Sequence, residues 1–198
     1  MKKEHSKYQI FCDLDGVLVD FYKGIENAIK GKAPQKASER YLASQEKARE
    51  SLGGATLKEC HLDKKSDDFK KPVRDFMQRA MSSNRHFWMN LPWTKEGKRL
   101  WNFIEKYDPI ILSRPVDLES VIGKKVWVKR NLDLVKDRVQ IRYDKSKYTD
   151  YDGKTGLLID DYIKNITSYG EKGGETIHFK DVDTAIEKLK NYGFGDPA

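Results

Sequence analysis

The apolar residues of this chain follow two alternating patterns. Short apolar runs bounded by turn residues predict buried β-strands, and apolar residues repeating every three or four positions predict amphipathic helices. The runs predict strands at residues 8–12, 109–112, 138–142, 155–159 and 175–179. The repeats predict helices at residues 21–30, 37–52, 73–81, 95–106, 121–132, 165–169 and 183–192. Pro72 is expected near the start of its helix.

Strands that alternate with helices in the second half of the chain predict an α/β fold with a parallel sheet covered on both sides. The first strand is separated from the others by a long helical stretch. We therefore expect a Rossmann-like core at residues 1–19 and 92–198, and a helical cap at residues 20–91 inserted after the first strand. A length of 198 residues suits one domain with an insertion, or two small ones.

Composition predicts a soluble protein, with 38% hydrophobic and 35% charged residues. No apolar run approaches the roughly 20 residues that span a bilayer. The first residues are basic and lack the apolar segment and cleavage site of a signal peptide. Of two cysteines, Cys12 falls in a predicted strand, and neither it nor Cys60 indicates a disulfide framework. These features favour the cytoplasm and no membrane partner.

The formal net charge of +7 favours anionic partners, namely nucleotides, nucleic acids or phosphate esters. Lysines and acids are interleaved along the chain rather than grouped in blocks. Most of these charges are therefore expected on solvated surfaces.

Two carboxylates, Asp13 and Asp15, follow the first predicted strand, and Gly16 comes directly after them. A turn at Gly16 would bring Asp15 back beside Asp13. Paired carboxylates at the carboxyl end of a parallel strand suit a hard cation and a phosphate, and a carboxylate can itself be a nucleophile. The alternative is an ordinary Asx turn, which Asp and Gly also favour.

Other strand ends carry polar groups suited to the same chemistry. Ser113 follows the second strand and can donate a hydrogen bond to a phosphate oxygen, although an ordinary turn serine is the alternative. Lys145, with Lys147 in reserve, follows the third strand and would offset negative charge. Asp160 and Asp161 follow the fourth, and adjacent carboxylates favour a bound cation. Asn165 lies where a helical turn would point it back at these acids.

Together and in this order, the segments Phe11–Leu18, Ile110–Ser113, Tyr143–Ser146 and Gly156–Asp161 resemble the four motifs of the haloacid dehalogenase (HAD) superfamily of phosphotransferases. The resemblance implies that Asp13 is the nucleophile and Asp15 the acid and base. It also implies Mg²⁺ held by Asp13, the Asp15 carbonyl and Asp160, with waters oriented by Asp161. Ser113, Lys145 and Arg114 would then hold the phosphoryl oxygens.

The first motif together with Asn90-Leu91-Pro92 and Trp127-Val128 is similar to the 5′(3′)-deoxyribonucleotidase family. That resemblance implies a Mg²⁺-dependent nucleotidase in which Phe21 stacks on the nucleobase, with Phe87 or Trp88 as neighbours. The aromatic patch at residues 86–93 is otherwise a hydrophobic seam between two modules. The chain departs from the family at Arg114, where a small hydroxyl residue is usual, and in its polar segment 32–68.

The expected function is therefore hydrolysis of (deoxy)nucleoside monophosphates through an aspartyl-phosphate, with a small nucleotide as the partner. One alternative keeps the chemistry and changes the substrate to the 3′-phosphate of DNA or RNA ends, which the basic charge supports. A second alternative is a non-catalytic binding module. The complete set of acids, Ser113 and Lys145 argues against that module.

Overall fold

The computed structural model describes residues 4–32, 34–35, 37–54, 56–57, 67–82 and 84–195. Cys60 lies outside the described residues. The chain forms two compact units. The first unit comprises Met1–Asp20, Trp93–Pro115 and Leu132–Ala198, and the second comprises Phe21–Pro92 and Val116–Asn131. This grouping differs from the expected core and cap in placing residues 116–131 with the inserted segment.

The first unit contains a six-stranded sheet in the described part of the chain. Its strands are β1 (Tyr8–Cys12), β2 (Ile110–Ser113), β3 (Val139–Ile141), β4 (Asp150–Tyr151), β5 (Lys154–Asp160) and β6 (Glu175–His178). The parallel strands lie in the order β3-β2-β1-β5-β6, and the short β4 pairs antiparallel with the start of β5. The strand β1 is therefore central, between β2 and β5, and its residues 9–12, apolar except for Gln9, are buried there.

The helices are α1 (Phe21–Lys30), α2 (Glu39–Leu52), α3 (Asp67–Met81), α4 (Arg85–Met89), α5 (Gly97–Ile104), α6 (Leu118–Leu132), α7 (Ile163–Glu171) and α8 (Val182–Asn191). In the first unit, α7 packs against β5 and β6, and α8 packs against β6 and α5. Tyr169 of α7 joins Phe11, Leu112 and Leu158 in a buried cluster on one face of the sheet.

Helices α1, α2 and α3 of the second unit pack against one another around their own apolar cluster. Ile25 and Ile29 of α1 and Phe76 of α3 are fully buried there. These residues lie on the faces that the three-to-four spacing predicts. Helix α2 has Ser38 as its N-cap, since the Ser38 side chain accepts a hydrogen bond from the Tyr41 N–H. The helix ends before Gly53, whose φ is 52°.

The structure corrects the expected position of Pro72. Helix α3 begins at Asp67, so Pro72 lies inside the helix rather than at its start. A proline there removes one backbone donor from the helix interior. The preceding residues of the helix are charged except for Phe69, and one apolar residue gives no periodicity from which the first turn could be predicted. The strand β4 was also absent from the prediction, because two residues carry no detectable alternation.

No helix among the described residues combines the length and apolar character required to cross a bilayer.

Candidate active site

The carboxyl ends of β1 and β5 bring Asp13 and Asp160 side by side. Cys12 pairs with Ile159, and the Asp13 N–H donates to the Ile159 carbonyl over 2.9 Å. Asp13 is 6% exposed and Asp160 is fully buried. Two carboxylates buried on neighbouring strands need a compensating positive charge.

Lys145 supplies that charge. Its Nζ lies 2.9 Å from Oδ2 of Asp13 and 2.6 Å from Oδ2 of Asp160. The side chain is buried and extends from a 3₁₀ turn, Lys145–Tyr148, that follows β3. Lys147, the reserve candidate, is exposed on the same turn. The structure therefore brings Lys145 to the two acids.

The Lys145 ammonium is shared between the carboxylates of Asp13 and Asp160, and this arrangement affects the pKa values of Lys145 and Asp160. Burial by itself lowers the pKa of Lys145, but the charges of Asp13 and Asp160 outweigh it and raise that pKa. Burial and the charge of Asp13 raise the pKa of Asp160, against the opposing effect of Lys145. The site thus carries excess negative charge even with Lys145 protonated.

Hydrogen bonds fix the orientation of both buried carboxylates. Oδ1 of Asp13 accepts from the Leu14 N–H at 2.7 Å, and Oδ1 of Asp160 accepts from the Tyr162 N–H at 2.8 Å. Asn165 Nδ2 lies 2.9 Å from Oδ2 and 3.2 Å from Oδ1 of Asp160. The predicted orientation of Asn165 toward the acids is confirmed.

The turn after β1 is built around Gly16. The Gly16 N–H donates to the Val19 carbonyl over 2.9 Å, and the φ of Gly16 is 78°. A Cβ at Gly16 would overlap the carboxylate of Asp161, which therefore lies directly against the backbone of this turn. Asp161 as a residue is exposed, and it is the desolvation of its carboxylate where it meets this turn, followed by the charges of Asp13 and Asp160, that raises the pKa of Asp161 to about 7.

Asp13, Asp160 and Asp161 form a cluster that could hold a cation. Each offers a carboxylate oxygen, and these atoms all lie within 4.8 Å of one another. Among the described residues, the Asp15 carboxylate is not a member of this cluster. The Cys12 thiol is fully buried, and burial followed by the charge of Asp13 raises its pKa well above the usual value, which disfavours a thiolate ligand.

The other predicted site residues are placed as follows. Ser113 is buried at the end of β2, beside the end of β1, and Arg114 is exposed next to it. Phe21 lies in the second unit, at the start of α1, where its ring stacks on Trp88 at 5.8 Å and meets Phe87 edge-on at 5.8 Å. Phe87 and Trp88 are thus ring neighbours of Phe21, and the contact of these rings with a substrate stays a prediction.

Three groups in this site were outside the sequence prediction, namely two backbone N–H groups and one carboxylate. The N–H groups of Leu14 and Tyr162 orient the acids, but every residue has such a group, so residue type gives no signal for them. Asp144 accepts hydrogen bonds from the N–H and hydroxyl of Ser146, at 3.0 and 2.7 Å, and caps the turn that carries Lys145. The Asp-x-Ser spacing is a usable signal for such a cap.

No family model and no curated protein matches the chain. Among solved structures, it is similar to a hydrolase from Streptococcus pneumoniae TIGR4, with a TM-score of 0.50 and 14% identity over 96% of this chain and 100% of that one. It is also similar to the L-2-haloacid dehalogenase of Xanthobacter autotrophicus with chloropropionic acid covalently bound, with a TM-score of 0.45 and 11% identity over 96% and 84% of the two chains. A third is the HAD-hydrolase YfnB of Bacillus subtilis bound to magnesium, with a TM-score of 0.44, 12% identity and 86% of each chain covered.

The likeness to the streptococcal hydrolase, together with the strand order, shows the fold. The chain has a Rossmann-like α/β fold, with a parallel sheet flanked by helices, as predicted. At 14% sequence identity, this likeness indicates a shared architecture and not a shared activity. The chemistry depends on the residues at the ends of β1, β2, β3 and β5.

Proposed function

We propose that this protein is a Mg²⁺-dependent phosphomonoesterase that forms an aspartyl-phosphate on Asp13. The observation that carries the proposal is the position of Lys145 Nζ between Asp13 and Asp160, at 2.9 and 2.6 Å. This arrangement fixes a carboxylate nucleophile beside a buried cation, at the edge of the sheet where phosphate groups bind in such folds.

The three-acid cluster fits a magnesium ion. Its donors are all oxygens, which suits a hard cation rather than zinc. Desolvation and then the charges of Asp13 and Asp160 raise the pKa of Asp161, and a cation would balance those charges. The sequence indicated Asp160 as a direct ligand and Asp161 acting through water. Both oxygens of Asp13 and both oxygens of Asp160 already accept contacts within the protein, so these contacts do not favour one of the two acids over the other as a ligand. When bound, Mg²⁺ would neutralise charge on the phosphoryl oxygens.

In the first chemical step, Asp13 attacks phosphorus. A bond forms between a carboxylate oxygen of Asp13 and phosphorus, and the bond from phosphorus to the ester oxygen breaks. Asp15 gives its proton to the departing oxygen, which leaves as an alcohol. Lys145 and Ser113 hold the phosphoryl oxygens during the transfer.

In the second step, water releases the phosphate. Asp15, now a carboxylate, takes a proton from the water as its oxygen attacks phosphorus. The bond between phosphorus and Asp13 breaks, which restores the free carboxylate and completes one turnover. The Leu14 N–H and Lys145 keep the Asp13 carboxylate in the same orientation for each cycle.

The second acid supports an ester rather than a carbon–halogen bond as the substrate. An alkoxide leaving group requires a proton, whereas a halide ion leaves without one. Asp15 follows Asp13 by two residues, and its carboxylate is outside the cation cluster. This position is consistent with a proton donor for an alkoxide.

The substrate that we propose is a nucleoside monophosphate. The net charge of +7 favours a phosphorylated ligand, and the second unit carries the half-buried aromatic side chains Phe21 and Phe87, whose flat rings suit a base. The Trp88 ring that stacks on Phe21 is itself buried. The same charge also suits the phosphorylated end of a polynucleotide. The two substrates differ in the number of phosphates that the protein must contact.

The test is a measurement of phosphate release with Mg²⁺, from a panel of mononucleotides and from oligonucleotides bearing a 3′-phosphate. We expect turnover of mononucleotides with a weak dependence of KM on salt. Preferential turnover of oligonucleotides, with KM rising steeply with salt, would replace the substrate and keep the chemistry. An absence of phosphate release from every ester would refute the enzymatic proposal and favour a binding module.

A further inference from the structure

Helix α7 carries two polar side chains near the Lys145–Asp160 ion pair. One contacts Asp160 itself, and the other contacts the turn that carries Lys145. Asn165 donates to both oxygens of Asp160, at 2.9 and 3.2 Å. Tyr169, four residues later, donates its hydroxyl proton to the Tyr148 carbonyl over 2.5 Å. Residues four apart lie on the same face of a helix, so α7 presents both groups together.

The ring of Tyr169 lies in a space that two glycines leave open. Tyr169 is fully buried. A Cβ at Gly156 would overlap both its hydroxyl and the Tyr148 carbonyl, and a Cβ at Gly174 would overlap its ring. Burial raises the pKa of Tyr169, so its hydroxyl stays protonated and remains a donor. Glycine at both positions therefore leaves the space that the Tyr169 ring and hydroxyl occupy.

Tyr148 is the last residue of the 3₁₀ turn that carries Lys145. The side chain of Asp144 caps the beginning of that turn through Ser146. The Tyr169 hydroxyl holds its end through the Tyr148 carbonyl. The Lys145 Nζ reaches Asp13 and Asp160 from this turn, so its position depends on both attachments.

We propose that Tyr169 is a positioning residue for Lys145, acting through the hydrogen bond between its hydroxyl and the Tyr148 carbonyl. Together with Asn165, it allows α7 to set the relative position of the ammonium and the Asp160 carboxylate. The effect on turnover rests on the proposed function, in which Lys145 contacts the transferred phosphoryl group. The claim that Tyr169 holds the turn does not rest on the proposed function.

The functional test removes one hydroxyl and leaves the ring. Displacing a charged group by about 1 Å costs up to about a hundredfold in rate, so we expect Tyr169→Phe to lower kcat by about tenfold or more, with a smaller change in KM. The matched control is Tyr192→Phe, which removes a hydroxyl that donates to Glu175 at 2.6 Å elsewhere in the first unit. It should leave kcat within about twofold of the wild-type value.

A double-mutant cycle separates positioning from a general loss of structure. If Tyr169 acts through Lys145, Tyr169→Phe should cost little further activity in a Lys145→Gln background, because the group that it positions is gone. A purely structural role would lower activity by the same factor in both backgrounds. The proposal would be overturned if Tyr169→Phe lowered activity by the same factor in the wild-type and Lys145→Gln backgrounds. It would also be overturned if Tyr169→Phe and Tyr192→Phe lowered kcat equally.

Amide hydrogen exchange tests the attachment without any substrate or the Lys145 variant. Tyr169→Phe should speed exchange in a peptide covering the turn Lys145–Tyr148, and Tyr192→Phe should not. Unchanged exchange in Tyr169→Phe would overturn the proposal. If the wild-type protein hydrolyses no phosphate ester, the proposed function fails, and exchange still decides whether Tyr169 holds the turn.

Discussion

The carboxylate of Asp161 lies directly against the backbone of Gly16, in the space that any side chain on Gly16 would occupy. The two residues belong to different segments of the sheet edge, the turn after β1 and the end of β5. Gly16 is consequently required twice, once for its φ of 78° and once for the room that it leaves to Asp161.

This contact predicts a specific effect of Gly16→Ala. The added methyl group would displace the Asp161 carboxylate, so we expect Mg²⁺ affinity to fall by about 10- to 100-fold, as when the supports of metal ligands are removed. Isothermal titration with Mg²⁺ measures the change.

Gly153→Ala is the matched control for this change. Gly153 has a similar φ of 73°, and a Cβ there would meet no atom within 4 Å. Both variants should lose about 1–2 kcal/mol of unfolding free energy from the left-handed backbone. Only Gly16→Ala should lose metal affinity, and equal affinities in the two variants would contradict the role of the contact.

Replacing Asp13 by Asn should abolish turnover and keep the fold. Asparagine is nearly isosteric but is not a nucleophile, and Lys145 retains Asp160 as its partner. Retention of more than about a hundredth of the wild-type kcat, a barrier difference of about 2.7 kcal/mol, would show that the covalent role is wrong. Asp181→Asn removes one charge at the cap of α8 and should leave kcat unchanged.

Activity should require Mg²⁺ and disappear in EDTA. The cluster of Asp13, Asp160 and Asp161 offers only oxygen ligands, which suit Mg²⁺. Dialysis against chelator followed by assay, with and without restored Mg²⁺, tests this. Full activity in the chelator, or restoration by Zn²⁺ in preference to Mg²⁺, contradicts it.

The affinity for Mg²⁺ should fall as the pH is lowered through about 7, because the pKa of Asp161 is about 7 instead of 3.8. Between these two values the folded protein binds a proton that the unfolded chain has lost. Without a cation, this group therefore contributes less stability as the pH rises through that window. Thermal unfolding at pH 6 and 8 tests the sign, since Mg²⁺ should raise Tm more at pH 8.

Phe21→Ala should lower kcat/KM for nucleotides by about tenfold to a hundredfold, since stacking on a base contributes about 1–3 kcal/mol. Hydrolysis of p-nitrophenyl phosphate, which lacks a base, should change less. Tyr41→Ala is the control, because Tyr41 also packs at the margin of the apolar cluster of the second unit. Equal losses on both substrates, with a lower Tm, would make Phe21 a core residue only.

The sequence predicted the strands better than the ends of the helices. The apolar run at Tyr8–Cys12 coincides with β1, because a central parallel strand is buried on both faces and its composition changes sharply at each end. Helix α6 begins at Leu118, three residues before the predicted start at Val121. Leu118 is 72% exposed, so its apolar character does not mark a buried face.

The members of the candidate site could be named from the sequence, but their division of labour could not. Strand ends predicted the meeting of Asp13, Asp160 and Lys145, because parallel strands place their carboxyl ends at one edge. The hydrogen bonds that occupy both oxygens of Asp160 depend on how α7 begins. The contact of Tyr169 with Tyr148 depends on space left by Gly156, which no local pattern encodes.

The central position of β1 has a consequence for how the chain folds during its synthesis. Phe11 pairs with Ile110 on one side and Leu158 on the other, so the strand that precedes the proposed nucleophile leaves the ribosome long before either neighbour. Such non-local pairings slow folding, since a long loop must close before they form. The nascent β1 is an apolar segment that requires protection until β5 emerges. Helices α1, α2 and α3, which contact one another, can assemble in the meantime.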